Sequence, residues 1–229
     1  MREYDPRQPL ISIHLPKSGG TTFRLALETW FPHRLHYHYF VEKHKKRPTR
    51  IRLRRGFLGL RRRHGMCIHG FFNRNRGAGV FDYYPHARQF ITIVRDPVEQ
   101  HLSHYFYLRN KCERGEHYFK GKQVRFKYAS PEEYLDREEP YVPRYLPWEL
   151  TLESFRQYFD KHFIHVGLTE KMQETVDTLA DRLGKPRVEL ERRNVTPRDE
   201  APSPEAVARF KERHGLLFAI YDYAVELNS

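Results

Sequence analysis

Leu10-Ile11-Ser12-Ile13-His14-Leu15-Pro16-Lys17-Ser18-Gly19-Gly20-Thr21-Thr22-Phe23 begins as a short apolar run and passes through a glycine pair into a helical pattern. Residues 10–14 have the length and β-branched content of a buried strand. Beyond the glycines, Phe23, Ala26, Leu27 and Trp30 recur at i, i+3, i+4 and i+7, one face of an amphipathic helix. The order is strand, tight loop, helix. Backbone amides at such a junction and the positive end of the helix favour an anion. Gly19 and Gly20 permit close approach, Lys17 adds a mobile charge, and the hydroxyls of Thr21 and Thr22 can donate hydrogen bonds, so the loop reads as a phosphate cradle.

The same alternation recurs along the chain. Residues 65–69, 90–94 and 163–167 repeat the strand pattern. After the third run, Asp96 can cap a helix that begins at Pro97 and turns Val98, Leu102, Tyr105 and Phe106 inward. After the fourth, Met172, Val176, Leu179, Ala180 and Leu183 form a stripe closed by Gly184 and Pro186. Ser130-Pro131 and Ser203-Pro204, each followed by acids, read as further helix starts. Strands alternating with helices predict an α/β fold, three layers with a central parallel sheet, in one domain over residues 1–229. Residues 43–64 and 109–126 are polar enough to be long loops over one face.

Composition narrows the function classes. With 39% hydrophobic residues, 16 Phe and 15 Tyr, the chain can bury a core. Its net charge is +12, and residues 43–64 hold 11 Lys or Arg and no acid, so the basic field is local and suits an anionic partner. Two cysteines make no disulfide framework and predict a reducing compartment. No window resembles a signal peptide or a spanning helix. His33, His36 and His38 crowd together, and His101 and His104 stand three apart, but none has a metal-binding spacing, and no G-x-S-x-G elbow suggests a hydrolase.

The loop is not the G-x-x-x-x-G-K-[ST] of nucleotide triphosphatases, because its lysine precedes the glycine pair. It resembles the 5′-phosphosulfate loop of sulfotransferases that use 3′-phosphoadenosine 5′-phosphosulfate (PAPS). Val94-Arg95-Asp96-Pro97-Val98-Glu99-Gln100-His101-Leu102-Ser103-His104-Tyr105 is similar to that family's 3′-phosphate motif, R-D-P-x-x-R-x-x-S-x-Y, with Gln100 where the family often has arginine. Helical spacing returns Ser103 toward Arg95, so that guanidinium and hydroxyl can clamp one phosphate. Weaker similarity extends to Val166-Gly167-Leu168-Thr169-Glu170, to residues 217–227 and to Arg192-Arg193-Asn194-Val195-Thr196, which matches segments near the adenosine. The glycan sulfotransferases of heparan-type sugars look closest.

The resemblance implies a P-loop-like sulfotransferase fold and PAPS as donor, without a metal. Lys17, Ser18, Gly19, Gly20, Thr21, Thr22, Arg95 and Ser103 would bind it, and the acceptor would be the hydroxyl of a glycan, neutral or anionic, or of another molecule. A nucleic-acid partner is not expected. Lys17 would stabilise the leaving group. His69, at the end of the second run, is the expected base, with His14 next and Asp82 behind it; in relatives the glycine usually precedes the histidine. Relatives from animals usually carry a membrane anchor, so the expected setting is a bacterial cytoplasm or, for a trimmed piece, the Golgi lumen. The competing readings are an ATP-dependent kinase and a polyanion-binding module built on residues 43–64.

Overall fold

The computed structural model describes residues 1–40, 47–51, 65–116, 118–119, 122–123, 125–190 and 198–229. Most of the basic segment 43–64, including Arg61, Arg62 and Arg63, lies outside the described residues, as does Arg192-Arg193-Asn194-Val195-Thr196.

Five strands form one parallel sheet: β1 (Leu10–Ile13), β2 (Leu35–His38), β3 (Cys67–Gly70), β4 (Phe90–Val94) and β7 (Phe163–Leu168), in the order β2-β3-β1-β4-β7. Side chains alternate across it. Ile11, Ile13, Ile68, Phe90, Val166 and Leu168 fill the core beneath α2 (Val80–Tyr83), α5 (Phe155–His162) and α8 (Gly215–Leu227). Leu10, Cys67, Ile91, Ile93 and Ile164 pack on the other face against α1 (Gly20–Trp30) and α6 (Met172–Leu183). Both faces are apolar because both are covered, which is why these strands read as continuous hydrophobic runs. This is the expected three-layer α/β/α arrangement.

A third apolar cluster joins α3 (Pro97–Glu113), α4 (Pro131–Arg137), α7 (Pro204–Arg213) and α8 beside the sheet. The expected caps form: Asp96, Ser130 and Ser203 accept the amides of Glu99, Glu133 and Ala206. Gly184 closes α6 at φ 62°. Gly167 matters for closeness, since a Cβ there would stand 2.0 Å from Thr175 Cγ2, where α6 crosses β7.

Two expectations are corrected. The strand β2 was not anticipated; among the described residues it pairs only with β3, at the sheet edge. The span 109–126 is not one loop, because α3 runs to Glu113 and a short antiparallel pair follows, β5 (Tyr118–Phe119) with β6 (Lys122–Gln123). The last turns of α3 are polar yet held: Arg109 lies over the Tyr105 and Phe106 rings and pairs with Asp199 and Glu200.

The topology positions a site. After β1 the chain crosses to β2 and β3 on one side, then skips over β1 to β4 on the other. The carboxyl ends of β1 and β4 therefore flank a switch point, where open α/β sheets leave a crevice for ligands.

Candidate functional site

The loop after β1 opens with a turn in which the Ser18 amide donates to the Leu15 carbonyl at 3.3 Å. Pro16 occupies the second position and Lys17 the third, at φ 65°. A type II turn needs a left-handed residue there, usually glycine. Lysine in that conformation carries backbone strain, of a kind that concentrates at functional sites. Gly19, also left-handed at φ 70°, precedes the first turn of α1, which has no side-chain cap and no acid. The Gly19 carbonyl takes the amides of Thr22 and Phe23. Thr21 is exposed and Thr22 half-buried.

The junction after β4 reaches across to this loop. Arg95 Nη1 donates to the Lys17 carbonyl at 3.3 Å, and Gln100 Nε2 donates to the Pro16 carbonyl at 2.9 Å and to Ser18 Oγ at 2.7 Å. Tyr141 also donates to the Pro16 carbonyl, at 3.3 Å. Farther along α3, the Tyr107 ring receives Lys17 Nζ 4.3 Å from its centroid. Glu99 and Gln100 stand four and three residues before Ser103, and Tyr107 four after it, so all four share one face of the helix. Three of them touch either the loop or Arg95. Lys17, Ser18, Gly19, Gly20 and Arg95 are thus gathered at the switch point, and Ser103, buried on α3, lies on the face turned to them.

The charges here are coupled. Burial, and then the neighbouring Arg95, lower the Lys17 pKa. Arg95 Nη2 meets Glu99 Oε2 at 3.3 Å, while Arg198 clasps both Glu99 oxygens at 2.9 and 2.8 Å. The Arg198 hydrogen bonds lead the causes that hold the Glu99 carboxyl below its usual range. Sequence reasoning found Arg95 but missed Gln100 as a bridge, Tyr107 as a seat for Lys17, and Arg198. The first two sit at helical spacing from Arg95 and Ser103, which was the available signal.

The histidines differ from expectation in depth. His69 is not the last residue of its strand; Gly70 follows, paired with His38 and Ile13. His69 is 1% exposed, shares a 2.9 Å hydrogen bond with Ser12 Oγ through Nδ1, and has no partner for Nε2 among the described residues. His14 stacks on it at 5.2 Å and is itself stacked on Phe71 at 4.5 Å. His14 is only half-buried and bonds Tyr39 Oη through Nδ1 at 2.9 Å. A Cβ on Gly20 would lie 1.8 Å from His14 Nε2, so the glycine leaves the imidazole its place beside the helix start. Burial, then Arg24, pull His14 down to about 4; burial, then His14 and Arg24, push His69 well below the imidazole range. Both are neutral at pH 7. Asp82, the third expected base, accepts the Gly79 amide at 2.8 Å as the cap of α2.

His38 is a core residue, stacked on Phe72 at 4.4 Å and bonded to the Ala78 carbonyl. Among the described residues no group of three His, Cys, Asp or Glu side chains is arranged to hold a metal, and no helix is long and apolar enough to cross a membrane.

No family model matches the chain, and no curated protein matches it. Among solved structures it is similar to mouse sulfotransferase SULT7A1 complexed with PAP, at 12% sequence identity and a TM-score of 0.43. The match covers 92% of this chain and 64% of that one, so the chain spans less than two thirds of the mouse protein.

Proposed function

We propose that the chain transfers a sulfuryl group from PAPS to an acceptor hydroxyl on a carbohydrate. The observation that carries this reading is the convergence of two strand-to-helix junctions at one switch point, with Arg95 and Gln100 of the second bonded to the loop of the first. That supports a ligand with two separated anionic groups. The residues present fit it: Lys17, Ser18, Gly19, Gly20, Thr21 and Thr22 hold the 5′-phosphosulfate, and Arg95 with Ser103 holds the 3′-phosphate.

In the transfer, the acceptor oxygen bonds to sulfur as the bond from sulfur to the bridging phosphate oxygen breaks, and the acceptor proton passes to an imidazole. Positioning and charge stabilisation dominate such a step. Lys17 meets the negative charge that develops on the leaving phosphate. Of the two stacked histidines, His14 has solvent access, and its Nε2 takes the proton while Nδ1 is held by Tyr39. His69, buried behind it, positions that ring.

A row of rings supports the carbohydrate acceptor. Tyr37, Tyr39, Phe71, Tyr145 and Tyr141 contact one another in sequence from β2 past His14. None is fully buried. Such faces stack on the C–H faces of pyranose rings, and the tyrosine hydroxyls add hydrogen-bonding partners.

The test is thermal stabilisation by 3′-phosphoadenosine 5′-phosphate (PAP) against AMP and Mg-ATP, followed by transfer from radiolabelled PAPS to a panel of glycans and phenols. PAP should stabilise most, and Arg95→Ala should weaken PAP by about 1.5–3 kcal/mol more than it weakens AMP. Equal affinity for PAP and AMP in the wild type overturns the 3′-phosphate assignment. Label on phenols alone overturns the acceptor class.

A further inference from the structure

Gln100 stands at a position where its amide can be oriented by logic alone. It is 6% exposed, and its Nε2 lies within bonding distance of both the Pro16 carbonyl and Ser18 Oγ. A carbonyl only accepts, so the nitrogen end of the amide must face the loop. The second N–H of that nitrogen is then directed at Ser18 Oγ, which makes serine the acceptor in that bond. A serine hydroxyl carries one proton, and this bond does not use it. Ser18 is 2% exposed, and among the described residues its proton has no acceptor.

We propose that Gln100 is a positioning residue that makes Ser18 an obligate hydrogen-bond donor to an oxyanion in the loop after β1. The proposal rests on reading that loop as the 5′-phosphosulfate cradle. With Gln100 in place, the hydroxyl cannot turn its proton back toward α3 and presents it to the ligand instead. The same amide, together with Tyr141 and Arg95, keeps the carbonyls of Pro16 and Lys17 turned toward α3 and away from the anion. A ligand oxygen therefore meets a donor at Ser18 without reorganising the loop.

The experiment is a double-mutant cycle read by calorimetry with AMP and with PAP, using Ser18→Ala, Gln100→Met and the double variant. Methionine keeps the length and volume of glutamine but offers no N–H. Each single variant should bind AMP about tenfold more weakly, the order expected for a hydrogen bond to a charged group. The loss in the double variant should fall well short of the product of the two single losses, because much of the effect of Gln100 passes through that hydroxyl. Gln100→Asn, one methylene too short to reach both oxygens, gives a second cycle read in the same way. A Gln100→Met protein that binds AMP like the wild type overturns the proposal, and so do losses that simply multiply, as two independent structural roles would produce. PAP binding no tighter than AMP in the wild type overturns the sulfotransferase reading while the AMP cycle still decides Gln100. Wild-type protein that binds neither nucleotide overturns both.

Discussion

Lowering the pH from 7 to 5 should remove much of the stability of this fold through buried histidines. His38, His101 and His165 are buried in the native chain, and burial pulls them to about 4, about 3 and about 4. In the unfolded chain each titrates near ~6.5. Between those values the unfolded state binds more protons than the native state, so stability falls as the pH drops below ~6.5 and the loss levels off only below about 3. At pH 5 each unfolded imidazole gains about 2 kcal/mol from protonation that its native counterpart does not, or about 6 kcal/mol for the three. That is comparable with the whole stability of a typical domain, about 5–15 kcal/mol. His69 shifts in the same direction and adds to the loss. Urea unfolding followed by circular dichroism at pH 7.5, 6 and 5 measures it. His165 is the sharpest single probe, since it is fully buried and burial is the leading cause of its shift. His165→Leu should reduce the pH-dependent part by about 2 kcal/mol at pH 5, whatever it does to stability at pH 7.5. Stability that is level from pH 7.5 to 5, or a His165→Leu protein with the wild-type pH slope, would refute the reasoning.

Other outcomes follow from the site. Lys17→Gly relieves the left-handed strain and should raise stability by up to about 1 kcal/mol while lowering turnover about 10²-fold, a split that melting and kinetics read separately. Gly20→Ala drives a methyl group into the His14 ring, held between two other rings, and should cost about 10²-fold in turnover and about 1–3 kcal/mol in stability. Because His14 lies near 4, the rate between pH 6 and 8 should vary by less than about twofold, against a limb near ~6.5 for an unperturbed imidazole. His14→Ala should lower kcat more than His69→Ala does; the reverse order makes the buried ring the base.

What could be read from the chain was local. The β1 run, the turn residues and the α1 stripe fall within one window, and the caps at Asp96, Ser130 and Ser203 act three residues ahead. β2 escaped notice because Leu-His-Tyr-His has no β-branched residue and one exposed side chain, as an edge strand with one neighbour allows. The depth of His69 depends on Gly70, where a Cβ would stand 2.0 Å from the His38 carbonyl; that close approach lets β2 extend the pairing past the histidine. Gln100 looked like a departure from a motif. Its partners lie 84 and 82 residues away, and no window of sequence shows them.

The register of β1 also bears on how the chain emerges during synthesis. Leu10 pairs with Cys67 and Ile11 with Phe90, so among the described residues the strand that carries the loop has no sheet partner before Cys67. At about 5–20 residues per second, translation leaves it waiting for roughly 3–11 s before β3 is made. Throughout that interval Leu10-Ile11-Ser12-Ile13 is an uncharged apolar segment with both edges open, the kind of window that invites intermolecular pairing. Arg2, Glu3, Asp5 and Arg7 precede it and Lys17 follows it, so charge flanks the segment while it waits. The lysine assigned to the anion in the proposed function is, for those seconds, a guard on the nascent strand.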